Sequence, residues 1–407
     1  MKSSIQKHYF GIAFSAGLLL AALMWFLNPF MLSPEGCRAL AVATLMVVWW
    51  ITEALPMPVV ALVPMVLLPL LGIETLSEVT KSYSNPVVFL FMGGFMIGLA
   101  IEKWNLHKRI ALHIVRRTGT SGNRIILGFI IATGFLSMWL SNTATTMMMF
   151  PIALSVIAVM KEQESGSTGI ANFSLVLMLV IAYASNIGGM ATIIGTPPNV
   201  AFVAYIENKY GYAIPFAQWM LFCLPVALIL LAALYLVLTR WLYPNHIRKS
   251  CATGEMIREQ IRGLGRVSRP EKRVLVVFMA TALLWITRDL INKTDWIKLD
   301  DNMIAVMGAL ALFAIPSGNR QEGKVVMLLQ WSDTSRLAWG ILLLFGGGIA
   351  LSGSLEKVGV MEQIGNWLAG FGHSGTFSLI LMVVIISIFL SERSEERRVG
   401  KECRSRW

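Results

Sequence analysis

Apolar runs of roughly 17–25 residues, the length that a bilayer crossing needs, recur along the whole chain with short polar segments between them. They fall near residues 9–31, 37–54, 57–72 and 86–102, again from about 172 and over 214–240, and then near 273–290, 303–316, 338–355 and 376–391. Two stretches break the pattern. "LSMWLSNTATTMMMFPIALSVI" (136–157) carries Ser141, Asn142, Thr143, Thr145 and Thr146 in the middle of lipid-compatible sequence. "YASNIGGMATIIGTPPN" (183–199) places Gly188, Gly189 and Gly195 ahead of Pro197 and Pro198. Polar groups left unpaired in hydrocarbon are costly, so each knot must either find partners inside the protein or hold a solute.

The limbs flanking the first knot, within 125–160, are about 15 residues each and short for full crossings. They predict a re-entrant hairpin that enters and leaves on the cytoplasmic side. Irregular backbone at membrane depth is tolerated only where protein or an aqueous cavity surrounds it. The second knot predicts an interrupted span over 172–200, weakened by its glycines and ended by its prolines. Ahead of both, "EKWNLHKRIALHIVRRTGTSGNR" (102–124) is too polar to cross. Over 104–117 it sets Ile110, Leu112, Ile114 and Val115 among Lys108, Arg109, Arg116 and Arg117, which predicts a helix lying at the interface. An even number of crossings from a cytoplasmic N-terminus puts this basic stretch in the cytoplasm, as the positive-inside rule requires. The basic segment 241–272 is read as a second cytoplasmic linker.

Shifted by 254 positions, "LFMGGFMIGLAIEK" (Leu90–Lys103) lies over "LFGGGIALSGSLEK" (Leu344–Lys357). Basic residues follow the first copy, whereas "VGVMEQIGNWLAGFGHSG" after the second has no Arg or Lys. Like helices with opposite flanking charge indicate opposite orientation, the pattern of an inverted-topology repeat whose binding site lies near mid-membrane. The expected organisation is an N-terminal span (1–36), a first repeat (37–240, with a long span at 214–240), the linker (241–272) and an incomplete second repeat (273–392). The same shift carries Ser141 to position 395, so a second polar knot is expected where the credible sequence stops, and the chain is expected to be truncated. The tail "RSEERRVGKECRSRW" (393–407) holds six basic and three acidic residues and is expected to be non-native.

Composition narrows the class. With 56% hydrophobic and 14% charged residues and a mean hydropathy of +0.66, the 407-residue chain is an all-α polytopic membrane protein rather than a soluble domain. The formal charge of +11, of which the tail supplies +3, is spread over loops between spans and does not point to nucleic acid. Cys37, Cys223, Cys251 and Cys403 show neither disulfide nor metal-site spacing. The first run begins near Tyr9, after only Lys2 and Lys7, and is read as a retained span.

"LSNTATT" (140–146) together with "YASNIGGMATIIGTPPN" resembles the divalent anion/sodium symporter family, carriers of dicarboxylates, citrate or sulfate, over essentially residues 1–392. The resemblance implies sodium-coupled uptake of a C4-dicarboxylate or citrate by alternating access, with a sulfate or other inorganic-anion carrier of the same fold as the alternative. A channel or proton-coupled carrier is a further rival. It implies a first sodium site from Ser137, Ser141 and Asn142, and substrate contacts from Asn142 and Thr143. In that family the Ser-Asn-Thr tripeptide occurs twice, and here only one copy is present. It also implies a homodimer, with the spans at 37–72 and 86–102 as scaffold, the hairpin and interrupted span as the moving part, and 104–117 linking them.

The residues support such a site directly. A hairpin tip exposes free amides and carbonyls at helix ends, which suit a carboxylate and a hard cation respectively. Carbonyls near Gly188 and Gly189 could complete the sodium cage, with Thr192, Thr196 and Asn199 lining the cavity. No Arg, Lys or His falls at the centre, so a divalent anion would be neutralised by co-bound Na+ and helix dipoles. Sodium is thus a co-transported ion; the other partners are a small anionic substrate and the lipid bilayer. A multi-pass place in a cell membrane, that of the bacterial inner membrane, is the expected location. His8, His107, His113, His246 and His373 lie in or near loops, away from Ser141, which argues against an intramembrane enzyme.

Overall fold

The computed structural model describes residues 2–28, 30–163, 168–245, 247, 250–293, 298–321, 324–370 and isolated positions between 378 and 388. The tail at 393–407 lies outside the described residues, as does much of the limb at 376–391. In chain order the helices are α1 (Lys2–Leu27), α2 (Pro34–Thr52), α3 (Met57–Val60), α4 (Val63–Leu70), α5 (Leu76–Tyr83), α6 (Pro86–Lys103), α7 (Leu106–Thr118), α8 (Gly122–Ser137) and α9 (Asn142–Gln163). They continue as α10 (Thr168–Gly189), α11 (Pro197–Tyr210), α12 (Phe216–Leu236), α13 (Cys251–Gly263), α14 (Arg269–Asn292) and α15 (Asp301–Ala314). A ribbon of β1 (Pro316–Gln321) and β2 (Lys324–Met327) precedes α16 (Trp339–Lys357) and α17 (Val360–Gly370). Among the described residues eight helices are long and apolar enough to cross a membrane. The chain is a polytopic α-helical membrane protein.

Three expectations change. The run at 57–72 is not one helix: it breaks at Ala61–Leu62, and Pro64 sits in the first turn of α4, where a missing amide costs nothing. The second hairpin limb is 22 residues rather than about 15, because the polar knot is itself helical from Asn142 onward. The antiparallel ribbon, pairing Pro316 with Met327 and Gln321 with Lys324, was not anticipated.

The chain divides into two compact units, Met1–Val88 with Trp339–Trp407, and Phe89–Ala338. In the first, small residues let α16 approach closely. A Cβ on Gly347 would stand 2.3 Å from the Ala61 carbonyl oxygen, and one on Gly346 would meet the Tyr83 ring. At the end of α16, Lys357 Nζ reaches Glu78 Oε1 at 3.0 Å. Glu78 is also the N3 acid of a capping box with Thr75.

In the second unit, α8, α9 and α10 pack together, and α6 meets α15 where Gly93 faces the backbone of Ala305. The amphipathic α7 forms where expected, yet one of its basic residues is not at the surface. Arg109 is buried: its Nε donates to Glu271 Oε2 at 2.9 Å, and its Nη1 and Nη2 donate to the carbonyls of Gly265 (3.0 Å) and Leu264 (3.1 Å). A buried guanidinium persists only with a counter-charge and satisfied donors, and here it has both. The pair fastens α7 to the start of α14. Nearby, burial holds the His107 imidazole below its usual pKa, and its Nδ1 lies 3.2 Å from the Ile101 carbonyl.

Candidate functional site

The hairpin turns over Met138–Ser141, between the end of α8 and the first residue of α9. Ser141 Oγ accepts the Ala144 amide at 3.3 Å, so the tripeptide opens α9 and its N-terminal dipole end lies at the tip. Ser137, the last residue of α8 and fully buried, donates from Oγ to Asn142 Oδ1 at 2.8 Å, so the sequence expectation that it shares a helix face with Ser141 gives way to a contact across the turn. Asn142 Nδ2 in turn donates to Asn186 Oδ1 at 3.0 Å, tying the tip to α10. Asn186 was not among the expected site residues. Its signal was an amide in mid-span three residues before Gly189.

The second break has the expected form. Helix α10 stops at Gly189, a 3₁₀ turn spans Ile193–Gly195, and α11 starts at Pro197. Asn199 holds the break together: its Nδ2 donates to the carbonyls of Gly189 (3.0 Å) and Thr192 (2.8 Å). The Thr192 hydroxyl donates to the Met138 carbonyl and so joins the break to the hairpin turn. A Cβ on Gly189 would stand 2.5 Å from Asn142 Oδ1, so only glycine lets the two breaks meet there.

Ser137, Asn142, Gly189 and Asn199 thus share one contact network, and Ser141 caps its edge. The other candidates stand apart from it. Gly188 faces α8, where its Cβ would be 2.2 Å from the Gly134 carbonyl oxygen, and its own carbonyl accepts the Ala191 amide at 3.0 Å. Thr143 is exposed, and Thr196 is a half-buried residue preceding α11 whose carbonyl accepts the Asn199 amide at 3.2 Å. Thr146 donates to Ser185 at 3.0 Å, and Ser185 donates to the Ala182 carbonyl at 2.8 Å. The hydroxyls of Thr133 and Thr145 are buried without a hydrogen-bond partner among the described residues. Every side chain in the hydrogen-bond network above is a neutral amide or hydroxyl.

The family profile described as the sodium:sulfate symporter transmembrane region matches residues 12–395 of this sequence. The chain belongs to the sodium:sulfate symporter family. It is 38% identical over 387 residues to a protein of Staphylococcus saprophyticus named sodium-dependent dicarboxylate transporter SdcS, covering 92% of this chain and 74% of that protein. The protein of that name from Staphylococcus aureus strain USA300 is 38% identical over 376 residues, covering 90% and 72%. Both helix breaks lie inside the matched region.

Proposed function

We propose that the chain is a secondary transporter that couples inward sodium movement to uptake of a C4-dicarboxylate or citrate. The observation that carries this reading is the meeting of the two helix breaks, where Asn142 Oδ1 packs against Gly189 and the Thr192 hydroxyl donates to the Met138 carbonyl, so that neutral oxygens of both breaks come together. Amide, hydroxyl and carbonyl oxygens replace the hydration shell of a hard alkali cation. Ser137, Ser141, Asn142 and Gly189 hold sodium, with the Gly188 carbonyl as a further ligand. Asn142, Thr143, Thr196 and Asn199 contact the anion. With no fixed cation in the network, the anion gains its counter-charge from bound sodium and from the amino-terminal end of α9. Coupling follows, because the anion binds well only after sodium has charged the site. The names of the staphylococcal relatives favour a dicarboxylate, while the family description favours sulfate.

Transport proceeds by alternating access, with α8–α11 moving and α7 linking them to the scaffold. Scaffold spans of two copies pair as a homodimer, and the chain is organised as two inverted repeats about the 241–272 linker. The test is uptake of labelled succinate, citrate and sulfate into proteoliposomes under an inward sodium gradient. Succinate or citrate should accumulate with sodium and not with potassium. Accumulation of sulfate alone would move the substrate to the inorganic anions, and uptake indifferent to sodium would overturn the reading.

A further inference from the structure

Beside the hairpin tip lies a cavity of about 90 Å³. One wall is a single face of α6, formed by Phe95, Gly98, Leu99 and Glu102 at helical spacing. Opposite are Trp139, Leu140, Ser141 and Ala144 of the tip, and Arg336–Ala338 complete the lining. Gly98 keeps the space open, since a Cβ there would press to 3.0 Å from the Leu140 side chain. The lining is largely apolar, with Glu102, Ser141 and Arg336 as its polar side chains, and a space of this size has room for several waters or a cation with part of its hydration shell.

Two ion pairs lace the end of α6 to the turn before α16, and they differ in exposure. Lys103 Nζ meets Asp333 Oδ2 at 2.6 Å with both side chains about four-fifths buried. Arg336 meets Glu102; their side chains are 56% and 31% exposed, so this pair faces solvent, whereas Ser141 of the same lining belongs to the hairpin tip. An exposed pair adds little net stability and is screened by salt, so it opens at small cost, while the shielded pair keeps the elements together. The closed pair also has the right signs for a cation path: Arg336 repels a cation, and Glu102 becomes a free carboxylate once Arg336 swings away.

We propose that this cavity is the cytoplasmic exit for sodium and that Glu102 and Arg336 are its gate. The proposal rests on the sodium-coupled reading above. It is tested by placing a cysteine at Ala144 in a background with Cys37, Cys223, Cys251 and Cys403 replaced by serine. Inside-out vesicles are then labelled with a membrane-impermeant cationic thiosulfonate. Arg336→Gln should speed labelling about tenfold, Glu102→Gln, which leaves the repelling guanidinium in place, should not, and the charge-exchanged pair E102R with R336E should restore the parent rate. Sodium, but not potassium, should slow labelling in the Arg336→Gln variant. Equal rates in all variants would overturn the gate, and absence of sodium protection would overturn the assignment of the path to sodium. Labelling does not require transport, so a gate seen by labelling alongside sodium-indifferent uptake would sink the transport reading alone.

Discussion

Replacing Asn142 by alanine is expected to lower sodium-driven uptake by about 10- to 100-fold, through a buried hydroxyl left without its acceptor at a cost of about 1–3 kcal/mol. The substitution removes Oδ1 and Nδ2 together, so the buried Ser137 hydroxyl loses its acceptor and the exposed Asn186 side-chain oxygen turns to solvent. It also removes the side-chain oxygen that faces Gly189 across the two breaks. Asn142→Asp gives a sharper signature. It keeps an oxygen for the cation but adds a negative charge beside the anion, so sodium affinity should persist while anion affinity falls. Thr146→Ala is the control: Ser185 retains its bond to Ala182, and uptake should change little. Uptake and equilibrium binding measured on the same proteoliposome preparations check all three.

The second large effect separates two adjacent glycines. Gly188→Ala drives a methyl to 2.2 Å from the Gly134 carbonyl oxygen and 2.6 Å from its Cα, so one helix backbone must move. Overpacking of this kind costs about 1–3 kcal/mol, and more when the obstacle cannot yield. The purified variant should melt several degrees lower and carry substrate poorly at any sodium concentration. Gly189→Ala meets the Asn142 side chain instead, which can turn away. Its melting temperature should stay close to that of the parent, while the sodium requirement for uptake rises. Equal losses of stability in both variants, with the sodium requirement unchanged in Gly189→Ala, would contradict this division between a packing glycine and an ion-site glycine.

Much of the fold was legible because lipid imposes length and polarity on every crossing. The charge pattern of 104–117 placed α7, and the glycines and prolines of 185–199 placed the break between α10 and α11. The missed features depend on long-range contact. Arg109 reads as a surface residue until Glu271, 162 positions away, and two carbonyls are seen around it. At the site, Ser137, Asn142 and Gly189 could be picked out by residue type, but the partner of the Asn142 amide could not. Asn186 is one of several polar residues in its stretch, and only the packing of α10 beside the hairpin selects it. Gly188 and Gly189 look equivalent in sequence. A helix turns 100° per residue, so one faces Gly134 and the other Asn142.

The most direct measurement is the affinity for succinate determined by equilibrium binding over a range of sodium concentrations at constant ionic strength. A cradle in which cation and anion offset each other predicts affinity that rises steeply with sodium and a rise that Asn142→Ala flattens. The same affinity with and without sodium would contradict it.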